Sequence, residues 1–212
     1  NIGRNWINNG TFLAQNGTVT FNGTVAQTIG GTTITNFNNI TLNNAAGASL
    51  TNAQNLIGTL TLSVGTFATN SQTFTLLSDI NGTARIAAIP AGADITGNIT
   101  MQRYIGAGAT NWRFLTTAVQ GTTIADWTDD FIMSGFTGSQ FPDWPSASNP
   151  WPSIYFYDET VAGIQDNGYV AASNTTNAIN PGQGLWVWSG DTITGTQPFT
   201  VDVVGPTNTG NI

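Results

Sequence analysis

A chain of 212 residues with 40% hydrophobic side chains can bury one or two packed domains, so a disordered polypeptide is excluded. Charged residues make up only 7%, and the formal net charge is −7. The four scattered basic residues, Arg4, Arg85, Arg103 and Arg113, cannot neutralise phosphates as a cluster, which argues against a nucleic-acid partner; no apolar run approaches the roughly 20 residues of a membrane span.

The first half is built from short alternating runs. They are Thr18–Gly23, Asn39–Asn44, Thr59–Val64, Thr73–Ser78 and Asn98–Arg103. Each has the two-residue period of a strand with one buried face, through Val19/Phe21, Ile40/Leu42, Leu60/Leu62, Phe74/Leu76 and Ile99/Met101. Their shared threonines, at positions 20, 41, 61, 75 and 100, are spaced by about 20 residues on average, with irregular gaps. Asn-Gly pairs at 9–10, 16–17, 22–23 and 81–82, with Gly47, Gly58 and Gly65, supply corners. A strand that buries one face, turns and recurs can coil into stacked rungs. The expectation is a parallel β-solenoid over residues 1–104, placing Phe21, Leu42, Leu62 and Leu76 in one internal column. Asparagine is expected at left-handed corners and threonine in strands. The Asn-Xaa-Thr triplets that begin at Asn9, Asn16, Asn22, Asn39, Asn81, Asn98 and Asn174 follow from the same composition. Asn5–Phe12 already reads as repeat, so the first rung is expected to be completed by further repeats of a parent chain or by a neighbouring copy.

From about Thr110 the texture changes, with six of the seven tryptophans between Trp112 and Trp188. Residues 105–212 are expected to form an aromatic-rich β-sandwich or jelly-roll-like domain, giving an all-β chain. Its strands are read at Asn111–Val119, Ser153–Asp158, Gly168–Ala172, Gly184–Ser189 and Phe199–Val204. Ile124, Trp127 and Phe131, behind Thr123 and with Asp126 three residues on, predict a short capped helix over Ile124–Ile132. Pro142, Pro145, Pro150 and Pro152 make Phe136–Pro152 a loop, pinned by Phe141, Trp144 and Trp151.

The inventory for chemistry is narrow. The chain contains no histidine, cysteine or lysine, which removes most general bases and nucleophiles, every thiolate metal site and any lysine isopeptide crosslink. Carboxylates remain, and the adjacent pairs Asp129-Asp130 and Asp158-Glu159 read as a helix N-terminus and a turn rather than a glycosidase pair. The expectation is a chain without catalytic residues. Calcium is the one metal that oxygen ligands alone could hold, with Asp126, Asp129 and Asp130 as candidate ligands. Trp144, Trp151, Trp186 and Trp188 are the candidates for a sugar-stacking surface, since Trp186 and Trp188 share one strand face and leave Leu185 and Val187 on the other.

The stretches Gly17–Gly31 and Asn36–Gly47 resemble the repeat units of very large surface proteins of Bacteroidota. Asn98–Tyr104, Asn111–Val119, Ile154–Thr160 and Asn180–Val187 resemble the segment that follows those repeats. The resemblance implies export, through the type IX secretion route, and an extracellular location on the bacterial cell surface or released from it. It also implies a structural or adhesive role as stalk, filament or adhesin, with surface glycans or the secretion machinery as further partners. A carbohydrate-binding module, or an accessory region of a secreted hydrolase, is the alternative.

Overall fold

The computed structural model describes residues 1–108, 112–189 and 198–209. Asn111, which the first strand reading of the second half included, lies outside them. The chain divides into two compact units, one of Asn1–Arg103 with the residues from Val204, the other of Tyr104–Val203. The described residues form strands and two short 3-10 turns; among them no helix is long and apolar enough to cross a membrane.

The first unit is a parallel β-solenoid of about five turns. In chain order its strands are β1 (Trp6–Ile7), β2 (Thr18–Phe21), β3 (Gln27–Gly30), β4 (Thr35–Phe37), β5 (Asn39–Asn43), β6 (Ala48–Leu50), β7 (Gln54–Leu56) and β8 (Thr59–Ala68). They continue through β9 (Phe74–Leu76), the pair β10 (Ser78–Asp79) and β11 (Gly82–Thr83), β12 (Arg85–Ile86), β13 (Ala93–Thr96) and β14 (Asn98–Ile105). Strands β2, β5, the start of β8, and β12 make one face. Strands β1, β3, β6, the end of β8, and β13 make the second. Strands β4, β7, β9 and β14 make the third. The ten-residue β8 passes through a corner and belongs to two faces at once.

Like side chains stack because a parallel register repeats the same inward position turn after turn. Phe21, Leu42 and Leu62 form one column, and Ile40 lies over Leu60. Phe37, Leu56, Leu76 and Met101 form another. All seven side chains expected to face inward, Phe21, Ile40, Leu42, Leu60, Leu62, Phe74 and Leu76, are buried. The expected single column is corrected in one respect. Thr20, Thr41 and Thr61 are in register on the first face, whereas Thr75 and Thr100 are in register on the third, and Leu76 goes with them. The short step from 61 to 75 is therefore a move around one turn, and the long step from 75 to 100 is the climb to the next.

Asparagine also differs from expectation. The left-handed corners fall to Gly31, Gly47, Gly65, Gly92 and Gly97, and Asn70 is the one asparagine with positive φ among the described residues. Asparagine and glutamine side chains instead tie turns together from inside. Asn44 Nδ2 donates to Val25 O at 2.8 Å and to Gln27 Oε1 at 3.0 Å, while its Oδ1 accepts from Ala46 N at 2.9 Å. Gln27 Nε2 donates to Ile2 O at 2.9 Å. Asn8 Nδ2 and Trp6 Nε1 donate to Thr35 Oγ1, whose own backbone N–H reaches Gln54 Oε1 at 3.1 Å. A buried amide carries both donors and an acceptor, so it satisfies corner carbonyls that a glycine turn leaves open. At the N-terminal end Ile2 bridges to Phe21 in parallel, and Phe12 closes over the core against Trp6 and Phe37 at 4.9 and 6.0 Å between ring centres.

The second unit contains β15 (Trp112–Leu115), β16 (Ile154–Tyr157), β17 (Tyr169–Ala171) and β18 (Leu185–Trp188), joined antiparallel in the order β15-β18-β16-β17. Strand β19 (Phe199–Pro206) follows, and its residues from Val204 group with the first unit beside β14. The helix expected over Ile124–Ile132 is a single 3-10 turn, Ile124–Trp127. Its capping residues are as read, with Asp126 Oδ2 accepting from Thr123 N at 2.7 Å. Thr128 Oγ1 then donates to Ala125 O at 2.8 Å, the kind of side-chain competition for backbone that keeps Asp- and Thr-rich segments from propagating a helix.

Candidate functional site

In the second unit the period of two sorts side chains between the faces of one sheet. Ile154, Leu185 and Val187 share the inner face and are fully buried. The cross-strand register sets Trp112 opposite Trp188, Phe114 opposite Trp186, Tyr155 opposite Trp186, and Tyr157 opposite Tyr169, so all seven rings share the outer face. Apolar burial is thus supplied by the aliphatic side, and the rings are surplus to it.

A loop adds two more. Gly135 takes φ +82°, and a Cβ there would lie 2.3 Å from the Trp151 backbone, so the proline-rich segment runs directly across it. Ser134 Oγ donates to Trp151 O at 2.9 Å, and Trp151 N donates to Trp144 O at 2.7 Å. These bonds fix the loop. Of the three rings expected to pin it, Phe141 and Trp144 are exposed, and Trp151 alone packs inward, 5.5 Å from both Trp112 and Trp188.

All four tryptophans singled out from the sequence therefore meet in one cluster. Trp144 touches Trp151, Trp151 touches Trp188, and Trp112 joins these to Trp186. Trp112 is the hub, and the sequence reading missed it, although Trp112 and Phe114 alternate along the strand just as Trp186 and Trp188 do. The inner rings spend their faces on one another: Trp112 and Trp186 stack at 4.2 Å and 27°. Open ring surface lies instead at Phe114, 71% exposed, Trp144, 53%, and Tyr157, 43%. Tyr157 is held in place, since Gly168 leaves room for its ring at a distance where a Cβ would be 2.7 Å away, and Tyr169 packs edge-on at 5.1 Å.

The acids have other duties. Asp126 is occupied by its turn, Asp129 is exposed, and Asp130 Oδ2 accepts the Asp202 backbone N–H at 2.9 Å. Burial pushes the Asp130 carboxyl up to about 6; the Asp202 N–H opposes that shift, and the charges of Asp202 and Asp129 add to it. Asp158 is held below the ordinary carboxylate value by the hydroxyl and N–H of Thr160. Among the described residues no three acidic side chains gather as a group that could hold a metal ion, Asp126, Asp129 and Asp130 included.

Fold and site together define a β-solenoid repeat protein carrying an aromatic-faced β-unit. No family model, no curated protein and no solved structure matches the chain.

Proposed function

We propose that this chain is a non-catalytic structural and adhesive segment of a long secreted protein displayed at or released from a bacterial surface. The observation that carries the reading is the pairing of a rung-on-rung core with a sheet whose large rings face outward while its aliphatic side satisfies burial. A solenoid adds length in equal steps and suits a stalk. Outward aromatic clusters are what contact surfaces are made of. The absence of histidine, cysteine and lysine from the sequence and the resemblance to Bacteroidota surface repeats support the same reading. Beads coated with the chain should adhere to surfaces bearing bacterial or host glycans and polymers, and the chain should hydrolyse no peptide, ester or glycoside. Turnover that disappears on Asp129→Asn, Asp130→Asn, Asp158→Asn or Glu159→Gln would overturn it.

A further inference from the structure

Five asparagines are followed by glycine, Asn9, Asn16, Asn22, Asn81 and Asn167, and this is the pairing in which asparagine most readily reacts with its own backbone. With no Cβ on the following residue, that residue's amide nitrogen can reach the asparagine Cγ. The reaction needs a side-chain amide free to swing and a backbone N–H free to lose its proton. The fold controls both, site by site.

Four of the five are locked. Gly10 N donates to Asn8 Oδ1 at 3.1 Å and Gly23 N to Gln27 Oε1 at 2.9 Å, and both acceptors are buried amides fixed by the internal network. Asn9 Oδ1 is itself engaged by Thr32 N at 3.0 Å. Gly82 N donates to Asp79 Oδ1 at 3.2 Å while Asn81 Nδ2 donates to Asp79 Oδ2 at 3.3 Å. The backbone N–H and side-chain amide of Asn81 hold the Asp79 carboxyl below the ordinary carboxylate value, so it stays ionised and opposes loss of a proton from the nitrogen beside it. Gly168 is buried in a 3-10 turn against the Tyr157 ring, and its carbonyl accepts Asp158 N at 2.8 Å.

Asn16 is different. Asn16 and Gly17 are both exposed, the Asn16 side chain has no hydrogen-bond partner among the described residues, and Gly17 N is held only by Ala14 O at 2.9 Å across a surface turn. That turn is strained, because Gln15 takes φ +46° at a turn position where this conformation favours glycine. Breaking one hydrogen bond of such a turn frees the nucleophile while the solenoid stays folded. We infer that Asn16 is the site at which the native chain deamidates spontaneously. The Gly17 nitrogen gives its proton to solvent base and bonds to Asn16 Cγ, the Cγ–Nδ2 bond breaks, and the side-chain nitrogen leaves as ammonia. Water then opens the five-membered imide at either carbonyl, giving aspartate or isoaspartate with no change of oxidation state. Both products add a negative charge, and isoaspartate adds a methylene to the backbone just before Thr18. Gly17 O accepts the Asn39 N–H at 3.1 Å, so the modification falls where the first turn is tied to the second. The inference is independent of the adhesive reading above.

Peptide mapping by mass spectrometry, after the intact chain is incubated in mildly alkaline buffer and in parallel in concentrated urea, tests it. In the native chain Asn16 should convert at least about tenfold faster than each of the other four, the factor that one charge-assisted hydrogen bond commands, and in urea all five rates should be comparable. Asp79→Ala should raise the Asn81 rate to about that of Asn16, and Asn16→Gln should remove the fast product, with unchanged far-ultraviolet circular dichroism showing that each variant is folded. Equal native rates at all five sites, a faster native rate at any of the other four, the native ranking preserved in urea, or an Asn81 left slow by Asp79→Ala would each overturn the inference.

Discussion

Replacing Asn44 with alanine tests whether the internal amides hold the solenoid. Asn44 is 2% exposed, and its side chain makes the two donor bonds and one acceptor bond given above, with a further, longer contact from Nδ2 to Gly47 O at 3.3 Å. Each neutral hydrogen bond is worth about 1 kcal/mol net, and an orphaned buried group costs about 1–3 kcal/mol. Gln27 Oε1 keeps the Gly23 N–H at 2.9 Å, so only part of the network is orphaned. The expected loss is about 3 kcal/mol. The exposed pair Asn55–Asn36, at 2.8 Å, is the control, and Asn55→Ala should cost below about 0.5 kcal/mol. Urea unfolding followed by far-ultraviolet circular dichroism and by tryptophan emission separates the units, because Trp6 is the only tryptophan of the first. With a slope of about 2 kcal/mol per molar, the dichroism midpoint of the solenoid should fall by about 1.5 M for Asn44→Ala while the emission transition stays in place. A shift no larger than that of Asn55→Ala would refute the idea that buried amides carry the corners.

Gly65→Ala forces a left-handed φ of +88° on a residue with a Cβ and drives that atom onto Asn44 O, so it should cost more than about 3 kcal/mol or prevent folding, whereas Gly82→Ala, open and outside the left-handed region, should change stability by less than about 0.5 kcal/mol. Equal melting temperatures for the two would contradict this. Asp130 gives a pH dependence of defined sign. Its folded carboxyl titrates at about 6, above the unfolded value, so the native state holds the extra proton and stability should rise as pH falls from about 7 toward 4. Solvent screening at a half-buried group limits the effect to about 1 kcal/mol. The difference between wild type and Asp130→Asn in urea melts should carry that slope; a flat difference would show that the carboxyl is not perturbed.

Much of this architecture was legible because strand burial writes a period of two directly into the sequence, and five such runs returned as solenoid strands. What was not legible was which face each run joins. Thr61 and Thr75 sit in runs of identical texture, yet one belongs to the first face and the other to the third, because every face of a turn obeys the same alternation and only long-range register tells them apart. The tryptophan cluster shows the same division. Alternation put Trp186 and Trp188 on one side, but the part played by Trp112 depends on the pairing of β15 with β18, across 76 residues from Arg113 to Ser189. Ile124–Ile132 was mistyped because spacing alone cannot say whether polar side chains will take the backbone's hydrogen bonds.

The pair β10–β11 interrupts the solenoid without disturbing it. The chain leaves at Leu77 and returns at Ala84, whose N–H bonds Leu77 O at 2.8 Å, and Ser78 and Thr83 close the neck with a 2.7 Å hydroxyl contact. Asp79 Oδ1 holds the turn through Asn81 N at 2.7 Å, leaving Ile80 at the tip almost wholly in solvent. The neck is itself tied to the next turn, Ser78 N donating to Gln102 Oε1 at 3.4 Å and Arg103 Nη1 to Thr83 Oγ1 at 3.3 Å, so the excursion hangs from a fixed base. Lineages could lengthen, shorten or replace this excursion while the stacked core is inherited intact, and an epitope tag or a whole small domain spliced between Asp79 and Gly82 would be carried as cargo.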